Sequence, residues 1–292
     1  MDEVNDPEQP TRHQTEDVYV LPCGTVVHRV ITTESATMLT GEKVQRKIEQ
    51  ETTVAEDQCR TRHRTEEIIV SPSGSMMHRI FTSDTVLDKS GWKVENNEAE
   101  EKLVDLEETK SCHQAEEITV SPTRVITRRL IVHEIVERST GDRLDRRTVR
   151  ESTEEQADKT TRDVTEELVV SASGDVSRRV TVVDGTASEL EEWIRPHTEE
   201  LVLSPSGSFV YRVDKKDTNT KTTGESRQLS VVQVMVMDNT EVSKKREIEE
   251  TLISQTGDMT QRKIVQTKID RGADDIEMNE ETTESFLPYG CS

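Results

Sequence analysis

Histidine recurs at equivalent places in this sequence, at His13, His63, His113 and His197. Cys59 stands four residues before His63, and Cys112 adjoins His113. Imidazole and thiolate are common zinc ligands, so metal binding is the first chemistry to weigh. A structural zinc site needs about four convergent ligands, usually with tight Cys spacing. Each copy of the pattern offers too few, so neither a metal nor any other cofactor is expected. His28 and His78 occupy a slot that Arg128, Arg178 and Tyr211 fill elsewhere. Such a slot suits long polar side chains at a rim, not a catalytic imidazole.

Paired acids such as Glu66-Glu67 are frequent. Neighbours on a strand point to opposite faces, so these pairs do not make a general acid–base dyad. No G-x-S-x-G, Walker A or H-E-x-x-H motif occurs. The chain is expected not to be an enzyme. Ser71, Ser121 and Ser204 each precede Pro at a turn and are candidate phosphorylation sites. Plain turn chemistry explains the same residues.

These residues sit on a repeat. His63-Arg64-Thr65-Glu66-Glu67-Ile68-Ile69-Val70-Ser71-Pro72-Ser73-Gly74 returns as Pro196-His197-Thr198-Glu199-Glu200-Leu201-Val202-Leu203-Ser204-Pro205-Ser206-Gly207. Turn positions fall at Gly24, Gly74, Arg124, Gly174, Gly207 and Gly257, a period of 50 with one step of 33. A second series, Gly41, Gly91, Gly141 and Gly224, follows Gly24, Gly74, Arg124 and Gly207 at a constant offset of 17. The short step reads as the loss of one strand–turn–strand module of that length. A fixed period of this size marks a repeat architecture.

Pro second and Gly fourth in the turn suit a type I turn with a G1 bulge. That register pairs Val70 with Met76, Ile68 with His78 and Glu67 with Arg79. It collects Ile68, Val70, Met76 and Ile80 on one face, with Val18, Val20, Val26 and Val30 as the first-copy equivalents. One apolar face with period-two alternation marks a half-buried strand pair. The third copy has Arg124 where Gly is wanted, so its turn is expected to differ. The sixth has Thr251 and Lys263 on the apolar face and is expected to be degenerate.

The same register sets an acid across from an arginine in each copy: Asp17 and Arg29, Glu67 and Arg79, Glu117 and Arg129, Glu167 and Arg179, Glu200 and Arg212, Glu250 and Arg262. Such pairs set register, at about 0.2–1 kcal/mol each, or form a ladder that docks a partner.

The expected fold is all-β: tandem 50-residue repeats of antiparallel hairpins in an elongated array, with acidic linkers and disordered termini. The boundaries are a tail over 1–12, repeats over 13–62, 63–112 and 113–162, a short repeat over 163–195, a repeat over 196–245, a degenerate repeat over 246–270, and a tail over 271–292. Glu95 to Lys102 is the type of segment read as a linker. Composition agrees. Of 292 residues, 31% are hydrophobic, 3% aromatic and 33% charged, and the net charge is −21. That charge excludes phosphate-backbone binding, so no nucleic-acid partner is expected. No apolar run approaches the roughly 18–20 residues of a spanning helix, so no membrane insertion is expected. Cys23, Cys59, Cys112 and Cys291 lack C-x-x-C spacing, which suits a reduced, cytoplasmic protein.

The acid-acid-aliphatic, Gly turn, basic-basic-aliphatic pattern, clearest over Thr165 to Val180, resembles the C-terminal regulatory tails of ankyrins. The chain has no ankyrin repeats, ZU5-like region or death domain. The resemblance implies extended segments, mostly unstructured alone, that bind giant modular proteins of the obscurin type. The acid-acid and Arg positions named above are those that map. The expected function is a non-enzymatic, multivalent interaction or cytoskeletal adaptor segment. Its partner is a modular cytoskeletal or scaffold protein. The alternative is a self-associating β spacer or filament.

Overall fold

The computed structural model describes residues 10–238, 240–271 and 275–288. Every regular element among them is a strand. The chain divides into two units, Met1–Arg143 and Leu144–Ser292. The first holds β1 Thr11–Val20, β2 Val26–Thr37, β3 Lys43–Val54, β4 Gln58–Val70, β5 Met76–Asp88, β6 Lys93–Val104, β7 Glu108–Val120 and β8 Ile126–Arg138. The second holds β9 Arg143–Glu155, β10 Asp158–Val170, β11 Val176–Ala187, β12 Glu191–Leu203, β13 Phe209–Lys221, β14 Ser226–Met237, β15 Val242–Ile253, β16 Met259–Asp270 and β17 Ile276–Leu287. Within each unit every strand pairs antiparallel with the next in sequence. The fold is all-β and built of hairpins.

The unit of repetition is one strand, not one hairpin. A single strand and its turn fill the offset between the two glycine series, so a full copy holds three strands. The short fourth copy, β10 and β11, holds two. Its loss is therefore a single strand, and this corrects the strand–turn–strand module. Three strands reverse the chain direction. The face a hairpin presents is tied to its direction through the fixed hand of its turn and twist. Successive full copies must then present opposite faces. Direct pairing from Val26 through Val54 and Cys59 to Leu87 puts the apolar set of β1 and β2 on one face. The set around Val70 and Met76 lies on the other. Two strands restore the direction, so Val170, Val176, Leu203 and Phe209 line up on one face across the short copy.

The segments read as acidic linkers are third strands. Glu95 to Lys102 lies inside β6, paired with β5 and β7. Both faces are wet, so charge does not exclude a residue from a strand here. The termini change similarly. Thr11 and Arg12 belong to β1, while residues 1–9 lie outside the described residues. Ile276 to Leu287 form β17, paired with β16 along its length. The degenerate sixth copy is likewise paired throughout β15 and β16.

The turns of the two Gly series share one geometry, while the hairpins at 55–58, 105–108 and 188–191 close more tightly, each first amide donating to the carbonyl three residues on. The Ser71 and Gly74 amides donate to the carbonyls of Ser75 and Ser71 at 2.9 and 3.0 Å, and Gly74 has φ +90°. Arg124 takes φ +66° and donates to the Ser121 carbonyl at 2.9 Å. The third copy thus keeps the same turn and bears the left-handed strain on an arginine. Among the described residues only Val27, Thr32, Val213 and Asn219 are buried, and no side chain is fully so. Cross-strand pairs must hold the sheet where a core would otherwise do so.

Candidate functional site

The strand repeat carries its own charge code. Arg12 is followed five residues later by Asp17, Arg29 by Glu34, Arg46 by Glu51, Arg62 by Glu67, and Arg79 by Asp84. An odd separation places the two on opposite faces. Antiparallel pairing then sets each Arg against the acid of the next strand, on both faces at once. One face of the first unit carries Arg12, Glu34, Arg46, Glu67, Arg79 and Glu101, each directly opposite the next. The other carries Asp17, Arg29, Glu51, Arg62 and Asp84. Asn96 and Cys112 stand where the next arginines would.

The second unit repeats the design. Arg146 meets Glu167 at 2.5 Å, and Arg179 meets Glu200 at 2.7 Å. On the opposite face Arg195 meets Asp217 at 3.5 Å and Arg262 meets Glu284 at 3.2 Å. Strand β14 interrupts both rows with Leu229 and Val234.

The structure places all six predicted pairs directly opposite: Asp17 and Arg29, Glu67 and Arg79, Glu117 and Arg129, Glu167 and Arg179, Glu200 and Arg212, Glu250 and Arg262. The closest ion pairs reach elsewhere. Arg79 is 3.9 Å from Glu67 but 2.8 Å from Glu101. Arg29 reaches Glu49 at 3.5 Å, Arg212 reaches Asp214 at 3.6 Å, and Glu250 takes Arg227 at 2.9 Å. Sequence reasoning missed Arg12, Glu34, Arg46 and Glu101, which belong to the same row. The Arg-to-acid spacing of five, recurring from one strand to the next, was the available signal.

Other polar groups are also satisfied locally. His28 meets Glu16 at 2.7 Å, His78 meets Glu66 at 3.1 Å, and Arg178 meets Glu166 at 2.6 Å. In these three copies the rim slot is thus an ion-pair slot for the first acid of the acid pair, whereas the fifth copy has Tyr211 there and Glu199 meets His197 at 3.0 Å instead. Ser71 and Ser121 Oγ accept the amides of Ser75 and Val125 at 3.1 and 3.0 Å, and Ser204 Oγ lies 2.8 Å from Ser208 Oγ. These hydroxyls tie down the bulge. A hydrogen bond from Arg60, and its charge, hold the Asp84 carboxyl below the usual carboxylate range. Lys47 does the same for Glu49 at 2.6 Å. Burial pushes the Cys112 thiol up, and Glu134 adds to the shift.

No family model and no curated protein matches the chain. Among solved structures it aligns with a BenF-like porin from Pseudomonas fluorescens Pf-5, at TM-score 0.29 and 7% identity, covering 96% of this chain and 97% of that one. It also aligns with OccK9 (OpdG) of Pseudomonas aeruginosa, at TM-score 0.30 and 6% identity, covering 96% of each chain. At these scores neither alignment carries an activity over to this chain. That no helix among the described residues could cross a membrane says nothing of strands. The expected likeness to ankyrin tails is corrected, because regular paired strands replace the extended, mostly unstructured segments that likeness implied. The cytoskeletal adaptor and its modular partner rested on that likeness and fall with it. The elongated array and the spacer or filament built from separate hairpins are corrected by strand pairing that runs on through the expected linkers. The exclusion of membrane insertion, and the cytoplasmic location with it, is withdrawn because it weighed helices and the described elements are strands.

Proposed function

We propose that this chain is a non-catalytic β-scaffold whose cross-strand charge rows set strand register in place of a hydrophobic core. The observation that carries the reading is the unbroken alternation Arg12, Glu34, Arg46, Glu67, Arg79, Glu101 across six consecutive strands. A one-residue slip would carry the whole row to the other face and set each charge beside a wrong neighbour. An internally neutralised row gives a charged ligand little to hold, so register setting is the better role for the six predicted pairs. The repeat period agrees with this reading when each full copy counts as three strands and the fourth as two, although the expected boundaries at 62/63, 112/113, 162/163, 195/196 and 245/246 fall inside β4, β7, β10, β12 and β15.

A double-mutant cycle on Arg46 and Glu67 tests it. Arg46→Gln, Glu67→Gln and the double variant are compared by urea unfolding. Coupling of about 0.2–1 kcal/mol is expected for a facing pair. Strictly additive losses would sink the register role and leave the row free for another purpose.

A further inference from the structure

We propose that His113, His133 and Glu100 form a binding site for a divalent transition metal, of the zinc or nickel type, on one face of the first unit. The pairing register places His113 directly opposite His133 on β8, and Glu100 of β6 directly opposite His113. Three ligand-bearing residues thus stand side by side on three adjacent strands and on one face. The sequence alone singles out His113 as one of four recurring histidines. It does not show what faces each. His13 faces Thr33, His63 faces Ser83 and His197 faces Lys215. The third copy alone sets an imidazole against an imidazole.

The ligand-bearing groups stand near one another without yet converging. His113 Nε2 lies 4.0 Å from Glu100 Oε1. A hollow of about 240 Å³ is lined by His78, Glu100, His113 and His133. Directly opposed residues on an antiparallel pair have Cβ atoms about 4.5–5.5 Å apart, close enough for two imidazole nitrogens to reach one ion at about 2.0–2.1 Å. Two imidazoles and a carboxylate suit zinc, nickel or copper and leave positions for water. Among the described residues no three such side chains already converge on one point. The imidazoles must turn towards each other about their side-chain torsions when the ion arrives. His113 is 45% exposed and Glu100 60%, so both are free to turn.

The test is calorimetric titration of the full chain with Ni²⁺ and with Zn²⁺. One saturable site is expected. His113→Gln and His133→Gln should each weaken it by at least about tenfold, the lower end of what losing even an outer-shell partner costs. His63→Gln and His197→Gln should leave it unchanged. Absence of saturable binding, or equal losses in all four variants, would overturn the site. Should a variant fold poorly, paramagnetic broadening on the parent chain decides: Ni²⁺ must broaden the imidazole signals of His113 and His133 before those of the other histidines.

Discussion

Arg46 Nη2 lies 2.7 Å from Glu67 Oε1 across the β3–β4 pair, and Glu67 also faces Arg79 of β5. One carboxylate is thus shared between arginines on both neighbouring strands. Exposed ion pairs taken singly contribute about 0–1 kcal/mol. A row in which each member has two partners adds many such terms, with no core to mask them. Salt should therefore act on this protein more than on an ordinary domain. Raising NaCl from about 0.01 to 1 M shortens the screening length from roughly 30 to 3 Å. The same salt relieves the repulsion of a net charge of −21, which works the other way. The rows win if the urea midpoint falls monotonically above about 0.15 M salt; a rising midpoint would put net repulsion in command.

The vacancies in the row make a sharper prediction. Cys112 stands between Glu101 and Glu134, where the pattern asks for Arg. Cys112→Arg should stabilise the first unit by roughly 0.5–1 kcal/mol, the upper part of the cross-strand range. Asn96→Arg, between Asp84 and Glu117, should do likewise. Melting curves of the two variants against the parent read this directly, and a loss of stability in both would contradict the row.

Arg124 supplies an independent prediction from backbone strain alone. It holds φ +66° at the position where Gly74 and Gly174 hold +90° and +89°. A left-handed conformation costs a non-glycine residue roughly 1–2 kcal/mol, and glycine almost nothing. Glycine gives part of that back through its greater freedom when unfolded. Arg124→Gly should yield a net gain of about 0.5–1 kcal/mol, seen as a higher urea midpoint at unchanged slope. Gly74→Ala should lose stability by the same mechanism run backwards.

Much of the fold could be read from the sequence because turn chemistry is local. The Ser-Pro-Ser-Gly segments announce their geometry, and the Val70 to Met76 register follows from it. Strand β6 could not be read that way. Glu95, Glu98, Glu100 and Glu101 look like a linker until Arg79 of β5 is known to reach Glu101 at 2.8 Å. Their compensation lies on neighbouring strands, beyond any local window of sequence. The face alternation was hidden for a related reason. It depends on whether one copy holds two strands or three, and hydrophobic spacing within one hairpin carries no information on that count. His133 went unnoticed because it recurs in no other copy, so only the register that sets it across from His113 gives it meaning.

Acid should separate the rows from the net charge. Asp84 is held ionised by hydrogen bonds from Arg60 at 2.9 and 3.1 Å, so its folded-state pKa is depressed. A group depressed in the folded state contributes stability that is complete above its unfolded pKa and lost as pH falls through the folded value. Glu49, held by Lys47, behaves in the same sense. Acidification from neutral pH towards the pI of about 4.8 first reduces net repulsion, which favours the folded sheet. Below about pH 4 the paired carboxylates begin to protonate and the trend reverses. Stability should thus peak near the pI and fall steeply on the acid side. Asp84→Asn should be less stable than the parent at pH 5 and should lose less between pH 4 and pH 2 (about the range of a paired carboxylate's titration). Urea midpoints at five pH values suffice to see it, and parallel parent and variant curves throughout would mean that the Arg60–Asp84 pair contributes nothing to the fold.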